Sequence, residues 1–223
     1  MDRAAGNVMV DLSIYLVTDG AQAAGRGHDI AAVVEEAVAG GVTTVQVREK
    51  HAPARDVLAL VETLVERLPG HVPVLVNDRV DVFCAARARG VGVAGVHIGQ
   101  GDLPVEVVRE LVGPDAIIGL TANTAAEIAA AEAADVRIDY VGIGVVRATS
   151  SKADAPEAIG VAGVGALARG TALPAVAIGG IVVDDVPGLR AEGLAGVAVV
   201  SWICAADDPR AAAQELTRAW GRV

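Results

Sequence analysis

The chain has 223 residues, 53% of them hydrophobic and only 2% aromatic, with a formal net charge of -10 and a pI near 4.8. Acidity on this scale excludes a broad nucleic-acid or anionic-membrane surface, which requires clustered Lys and Arg, so any phosphate binding must be local. The length suits one α/β domain over residues 1–223, its core filled by Ala, Val, Leu and Ile as in parallel strands covered by helices.

The amino end, "MDRAAGNVMVDLSIY", carries acids and no signal-peptide core, and Gly, Pro or charge interrupts each apolar run before the roughly 18 residues a membrane span needs. The expectation is a soluble, cytoplasmic protein with no membrane partner. Cys84 and Cys204 are too few for a disulfide framework and share no metal-site spacing with His28, His51, His71 or His97, so they read as reduced, buried thiols.

In chain order the apolar runs "IYLVT", "TTVQVR", "VPVLVN", "GVHIG", "AIIGL", "DYVGIG", "PAVAIGG" and "GVAVVS" predict eight strands. Helical patterns separate them: "DIAAVVEEAVAG", "ARDVLALVETLVERL", "RVDVFCAARARG", "PVEVVRELV", "TAAEIAAAEAA", "VAGVGALARG" and "DDVPGLRAEG", with "DPRAAAQELTRAW" after the last strand. Gly40, Gly90 and Gly193 fit the left-handed residue that ends a helix. Repeated βα units with right-handed crossovers make a parallel sheet, and eight strands close one (β/α)8 TIM barrel. A doubly wound sheet is disfavoured because "LVTDGAQAAG" lacks the G-x-G-x-x-G turn expected after its first strand.

In a barrel, chemistry gathers where strands end and helices begin. Alternation along "VQVREK" puts Gln46, Arg48 and Lys50 on one side and Val45, Val47 and Glu49 on the other, giving either an anion site at the barrel mouth or a solvated charged face. Asn77 and Asp78 end the third strand, and Asp102 follows the fourth; each reads alone as a helix cap, and together as carboxylate oxygens for a hard divalent cation. His97, in the apolar run "GVHIG", reads as a satisfied core residue. Thr121 is ligand-facing or a turn former, and Asn123 or Thr124 caps the next helix. Gly179 and Gly180 after the seventh strand, and Ser201 after the eighth, occupy the loops that often bind phosphate in barrels.

The stretches "VQVREK", "VNDRVD", "GVHIGQGDLP", "YVGIGVVRATSSKADAP", "AIGGI" and "GVAVVS" together resemble the motif set of the thiamine-phosphate synthase family, from "YLVTD" to "AADDP". The resemblance implies a (β/α)8 barrel enzyme, a transferase that couples an aminopyrimidine diphosphate to a thiazole phosphate and releases pyrophosphate. It implies that Gln46, Arg48, Lys50, Asn77, Thr121 and Lys152 bind the pyrimidine diphosphate, with Arg48, Lys50 and Lys152 catalytic. Asp78 and Asp102 would hold Mg2+, and Thr149, Ser150, Ser151, Gly180, Val200 and Ser201 would receive the thiazole phosphate. The partners so implied are small-molecule substrates, with homo-oligomerisation left open.

The chain departs from the family pattern at Arg147 and Ala148, where an aromatic or apolar residue and Pro are common, and at Ser151, where Thr is usual. Thr121 stands for a usual Ser, Asn123 for a common His, and Trp202 for a small residue. A thiazole tautomerase-like relative or a noncatalytic phosphometabolite-binding barrel is the rival reading. The full set Arg48, Lys50, Asn77, Asp78, Asp102 and Lys152 argues against the tautomerase-like relative.

Overall fold

The computed structural model describes residues 10–149 and 157–222. Eight parallel strands close a barrel in sequence order, as the strand–helix alternation predicts: β1 (Ile14–Val17), β2 (Thr44–Val47), β3 (Val74–Asn77), β4 (Gly95–Ile98), β5 (Ile117–Thr121), β6 (Tyr140–Gly144), β7 (Ala175–Ile178) and β8 (Gly196–Val199). The helices are α1 (Gly20–Gly25), α2 (Ile30–Ala39), α3 (Ala54–Arg67), α4 (Val80–Ala88), α5 (Val105–Val112), α6 (Ala125–Glu132), α7 (Gly160–Ala168), α8 (Val186–Ala191), α9 (Ser201–Cys204) and α10 (Pro209–Ala219). The short α1 and α9 lie outside the sequence expectation; both are under two turns, too short for a 3.6-residue period to declare itself. No helix among the described residues is long and apolar enough to cross a membrane.

Strand alternation sorts the side chains into two cores. Ile14, Leu16, Val45, Val47, Val74, Val76, Ile118, Val141, Ile143, Val197 and Val199 pack outward against the helices. Tyr15, Val17, Leu75, Tyr140, Val176 and Ala198 fill the barrel interior. Small residues there make room for large ones: a Cβ at Gly119 would lie 2.1 Å from the ring of Tyr140, its strand neighbour on β6. Such alternation of size fills a narrow barrel without voids.

Two local expectations are corrected. Gly40 is not left-handed (φ -86°); it is glycine because a Cβ would sit 2.5 Å from the Arg210 carbonyl of α10, and Gly41 (φ 110°) makes the turn. Cys204 is buried, with its thiol pushed up to about 12 by desolvation, whereas Cys84 is only half-buried; both are free thiols. Gly90 and Gly193 adopt the expected left-handed conformation.

Candidate active site

The carboxyl ends of the strands open on a cavity of about 550 Å³. From β2, Gln46, Arg48 and Lys50 all reach it, as the alternation requires, while Glu49 turns away. Glu49 instead fastens the strand end: it accepts hydrogen bonds from Thr18 Oγ1 (2.8 Å) and from the Gly20 amide (3.1 Å), and Thr18 Oγ1 accepts from the Arg48 amide (2.9 Å). This brace fixes the backbone that carries the two cationic side chains.

Asp78 and Asp102 line the adjacent wall with Asn77. Neither aspartate is a helix cap. α4 begins after Arg79 and α5 after Pro104, each without a side-chain cap bond. Asp78 sits in left-handed backbone (φ 58°), the one non-glycine residue so placed among those described. Its amide is held by the His97 carbonyl at 2.8 Å. Such a conformation costs about 1–2 kcal/mol for an L-residue. Asp102 Oδ2 accepts from the Gly99 amide at 2.7 Å, which orients the carboxylate within its own loop.

The Asp78 carboxyl is pushed up to about 6, first by burial, then by the charge of Asp102 and a hydrogen bond with it; Asn77 and Lys50 act in the opposite sense. Two carboxylates this close repel unless a proton or a cation lies between them. Hard divalent cations favour such oxygen pairs, and Mg2+ usually completes its shell with water and substrate phosphate.

On the opposite arc of the barrel, β7 ends in Gly179 (φ 96°) and Gly180 (φ 63°). A Cβ on Gly179 would strike Val145 at 2.4 Å, and one on Gly180 would meet Arg147 Cβ at 2.8 Å, so only glycines allow the two loops to touch. The Arg147 amide donates to the Gly179 carbonyl at 2.9 Å. The Arg147 guanidinium grips Asp185 through Nε (2.9 Å) and Nη2 (2.7 Å), and Asp185 also accepts from the Val182 amide. Arg147, unexplained by the family pattern, therefore ties the loop after β6 to the turn before α8. Thr149, Gly180, Val200 and Ser201 line the cavity here; Ser150, Ser151 and Lys152 lie outside the described residues.

Asn123, Trp202 and His97 also reach the cavity. Thr124, not Asn123, caps α6 in a capping box with Glu127; Asn123 Oδ1 accepts instead from the Gly144 amide at 2.9 Å and steadies the end of β6. Trp202 donates its indole N–H to the Ala212 carbonyl (3.3 Å) and forms part of the wall. His97 is satisfied as the sequence suggests, bonding Tyr140 Oη through Nδ1 (2.9 Å) and Thr121 Oγ1 through Nε2 (3.0 Å), yet it is a cavity residue. Strand parity could have found it: on β4 it shares the inward face with Gly95, and it pairs with Asn77.

A closed parallel barrel that collects cations, a carboxylate pair and a glycine-hydroxyl cradle at its carboxyl end is a phosphate-handling (β/α)8 enzyme by class. The family profile described as thiamine monophosphate synthase matches residues 14–203, and the chain belongs to that family. It is 45% identical over 207 residues to thiamine-phosphate synthase of Azorhizobium caulinodans, covering 92% of this chain and 93% of the relative. It is 42% identical over 204 residues to the Vibrio parahaemolyticus thiamine-phosphate synthase, covering 91% and 95%. The solved thiamine phosphate pyrophosphorylase from Pyrococcus furiosus superposes with a TM-score of 0.80 at 33% identity, over 96% of this chain and 98% of that one.

Proposed function

We propose that this chain transfers the aminopyrimidine methyl group from its diphosphate to the nitrogen of a thiazole phosphate, releasing pyrophosphate and forming thiamine monophosphate. The observation that carries the reading is one cavity with anion-binding groups on two opposed arcs. Arg48 and Lys50 stand beside Asp78 and Asp102 on β2–β4, and Thr149, Gly180 and Ser201 stand on β6–β8. Two phosphorylated substrates seated on those arcs would meet over the middle of the barrel.

Negative charge grows on the diphosphate as its carbon–oxygen bond breaks, so groups that bind it more strongly at that stage accelerate the step. Arg48, Lys50 and Lys152 supply fixed positive charge, and Gln46, Asn77 and Thr121 hold the pyrimidine. Asp78 and Asp102 would hold Mg2+, which when bound contributes Lewis-acid stabilisation of the leaving diphosphate. Thr149, Ser150, Ser151, Gly180, Val200 and Ser201 seat the thiazole phosphate. The electron-rich aminopyrimidine stabilises the methylene cation left behind when pyrophosphate departs, and the thiazole nitrogen captures that cation, so no protein nucleophile is needed.

Calorimetric titration of both substrates with and without Mg2+, beside a pyrophosphate-release assay, tests the reading. Metal-dependent pyrophosphate release is expected; binding without release would instead indicate a noncatalytic barrel. Asp78→Ala and Lys152→Ala should each lower turnover at least about 10²-fold, the scale of one lost electrostatic group. Near-normal rates in both variants would remove the assignment.

A further inference from the structure

From one wall of the cavity to another, five side chains form an unbroken hydrogen-bonded path through the barrel interior. Gln46 Nε2 donates to Tyr15 Oη at 2.8 Å, and the Tyr15 and Tyr140 hydroxyls lie 2.6 Å apart. Tyr140 Oη is 2.9 Å from His97 Nδ1, and His97 Nε2 is 3.0 Å from Thr121 Oγ1. The path begins on β2, crosses β1, β6 and β4, and ends on β5, with both terminal residues lining the cavity. Burial pushes both phenols well above their ordinary range, so each is a neutral hydroxyl with a single proton to give.

Counting protons fixes a direction. An amide nitrogen cannot accept, so the Tyr15 proton has Tyr140 as its partner along the path. The Tyr140 proton then goes to a lone pair on His97 Nδ1, which makes His97 the Nε2–H tautomer and a donor to Thr121. The opposite sense would leave the Tyr15 proton without an acceptor on the path at a residue only 1% exposed, and an unmade buried hydrogen bond is costly.

We infer that Tyr15, Tyr140 and His97 are positioning residues, a relay of one polarity that aims the Thr121 hydroxyl proton at the substrate and leaves Gln46 its amide oxygen as acceptor. Phosphate has no N–H to offer, so the Gln46 oxygen suits an amino group, while Thr121 donates to a ring nitrogen or a diphosphate oxygen of the same molecule. This assignment to the aminopyrimidine diphosphate rests on the function proposed above; the polarity of the relay does not.

The relay is tested first on the ligand-free protein. Long-range proton–nitrogen NMR of the 15N-labelled chain near pH 8 should find His97 protonated at Nε2, and Tyr140→Phe should release it to a tautomer mixture. An Nδ1–H tautomer in the wild type, or an unchanged tautomer in Tyr140→Phe, overturns the inference whatever the enzyme's activity. In turnover assays, His97→Leu should lower kcat/KM for the diphosphate substrate about ten-fold, the scale of one hydrogen bond to a polar ligand, and leave KM for the thiazole phosphate unchanged. His97→Gln, which retains an N–H toward Thr121, should recover most of the loss. In a Thr121→Val background His97→Leu should add no further loss, because a residue acting through Thr121 has nothing left to position. Additive losses, or equal damage from Leu and Gln, would assign His97 a merely structural role and overturn the inference.

Discussion

Asp78 carries two local conflicts. Its backbone is left-handed, and its carboxyl is pushed up to about 6, first by burial and then by the charge of Asp102. Neither feature helps the fold, and both belong to a residue that lines the cavity. Asp78→Gly relieves the backbone without replacing the carboxylate, whereas Asp78→Ala removes the carboxylate and keeps the strain. The Gly variant should therefore be more stable than the Ala variant by about 1 kcal/mol in urea unfolding, while both lose turnover. Equal stabilities would show that the left-handed conformation costs the Ala variant nothing. Glu49 illustrates the converse case, a carboxylate facing away from substrate whose bonds to Thr18 and Gly20 hold Arg48 and Lys50 in place.

Among the elements, the loops after β6 and β7 depend on each other. Gly179 and Gly180 allow the contact, and the Arg147–Asp185 pair holds it, with Asp185 only 5% exposed and Arg147 56%. Arg147 holds the Asp185 carboxyl below its usual range. A carboxyl depressed in the folded state stabilises the fold above its unfolded value of about 3.9 and loses that contribution as pH falls through the folded value. Asp185→Asn preserves the shape but not the charge. Its urea midpoint should lie below the wild type by a constant margin from about pH 8 to about pH 5, and the margin should shrink below about pH 4. A margin independent of pH would mean that the pair acts by shape alone. Asn123 serves β6 in a similar way, with its side chain receiving the Gly144 amide three residues before Arg147.

At the scale of the whole molecule, barrel closure brings β2–β4 opposite β6–β8, so groups distant in sequence face one another across one cavity. A ligand that bridges such groups binds the folded state alone and stabilises it by mass action. Pyrophosphate with Mg2+ at about 100 times its dissociation constant should add about 2.7 kcal/mol, a rise of roughly 5–10 °C in Tm for a chain of this size. Either component alone should give much less, and in Asp78→Ala the dependence on metal should disappear. An undiminished metal-dependent shift in that variant would place the cation elsewhere.

The sequence by itself determined the eight-strand barrel and most of its rim. Alternating apolar residues with helix-ending glycines encode local geometry directly, and parity along "VQVREK" sends Gln46, Arg48 and Lys50 to one side without any tertiary information. It left Asp78 and Asp102 divided between helix caps and cation ligands, because both roles select the same residue types near a helix start. Only the tertiary structure removed the cap reading, since α4 and α5 begin after Arg79 and Pro104, and the left-handed backbone of Asp78 and its proximity to Asp102 depend on how β3 and β4 sit side by side. The partners of His97 and Arg147 were equally undecidable: Tyr140 and Asp185 lie 43 and 38 residues away. Patterns of period two or 3.6 report which way a side chain points, but the group it meets there is fixed only when the barrel closes.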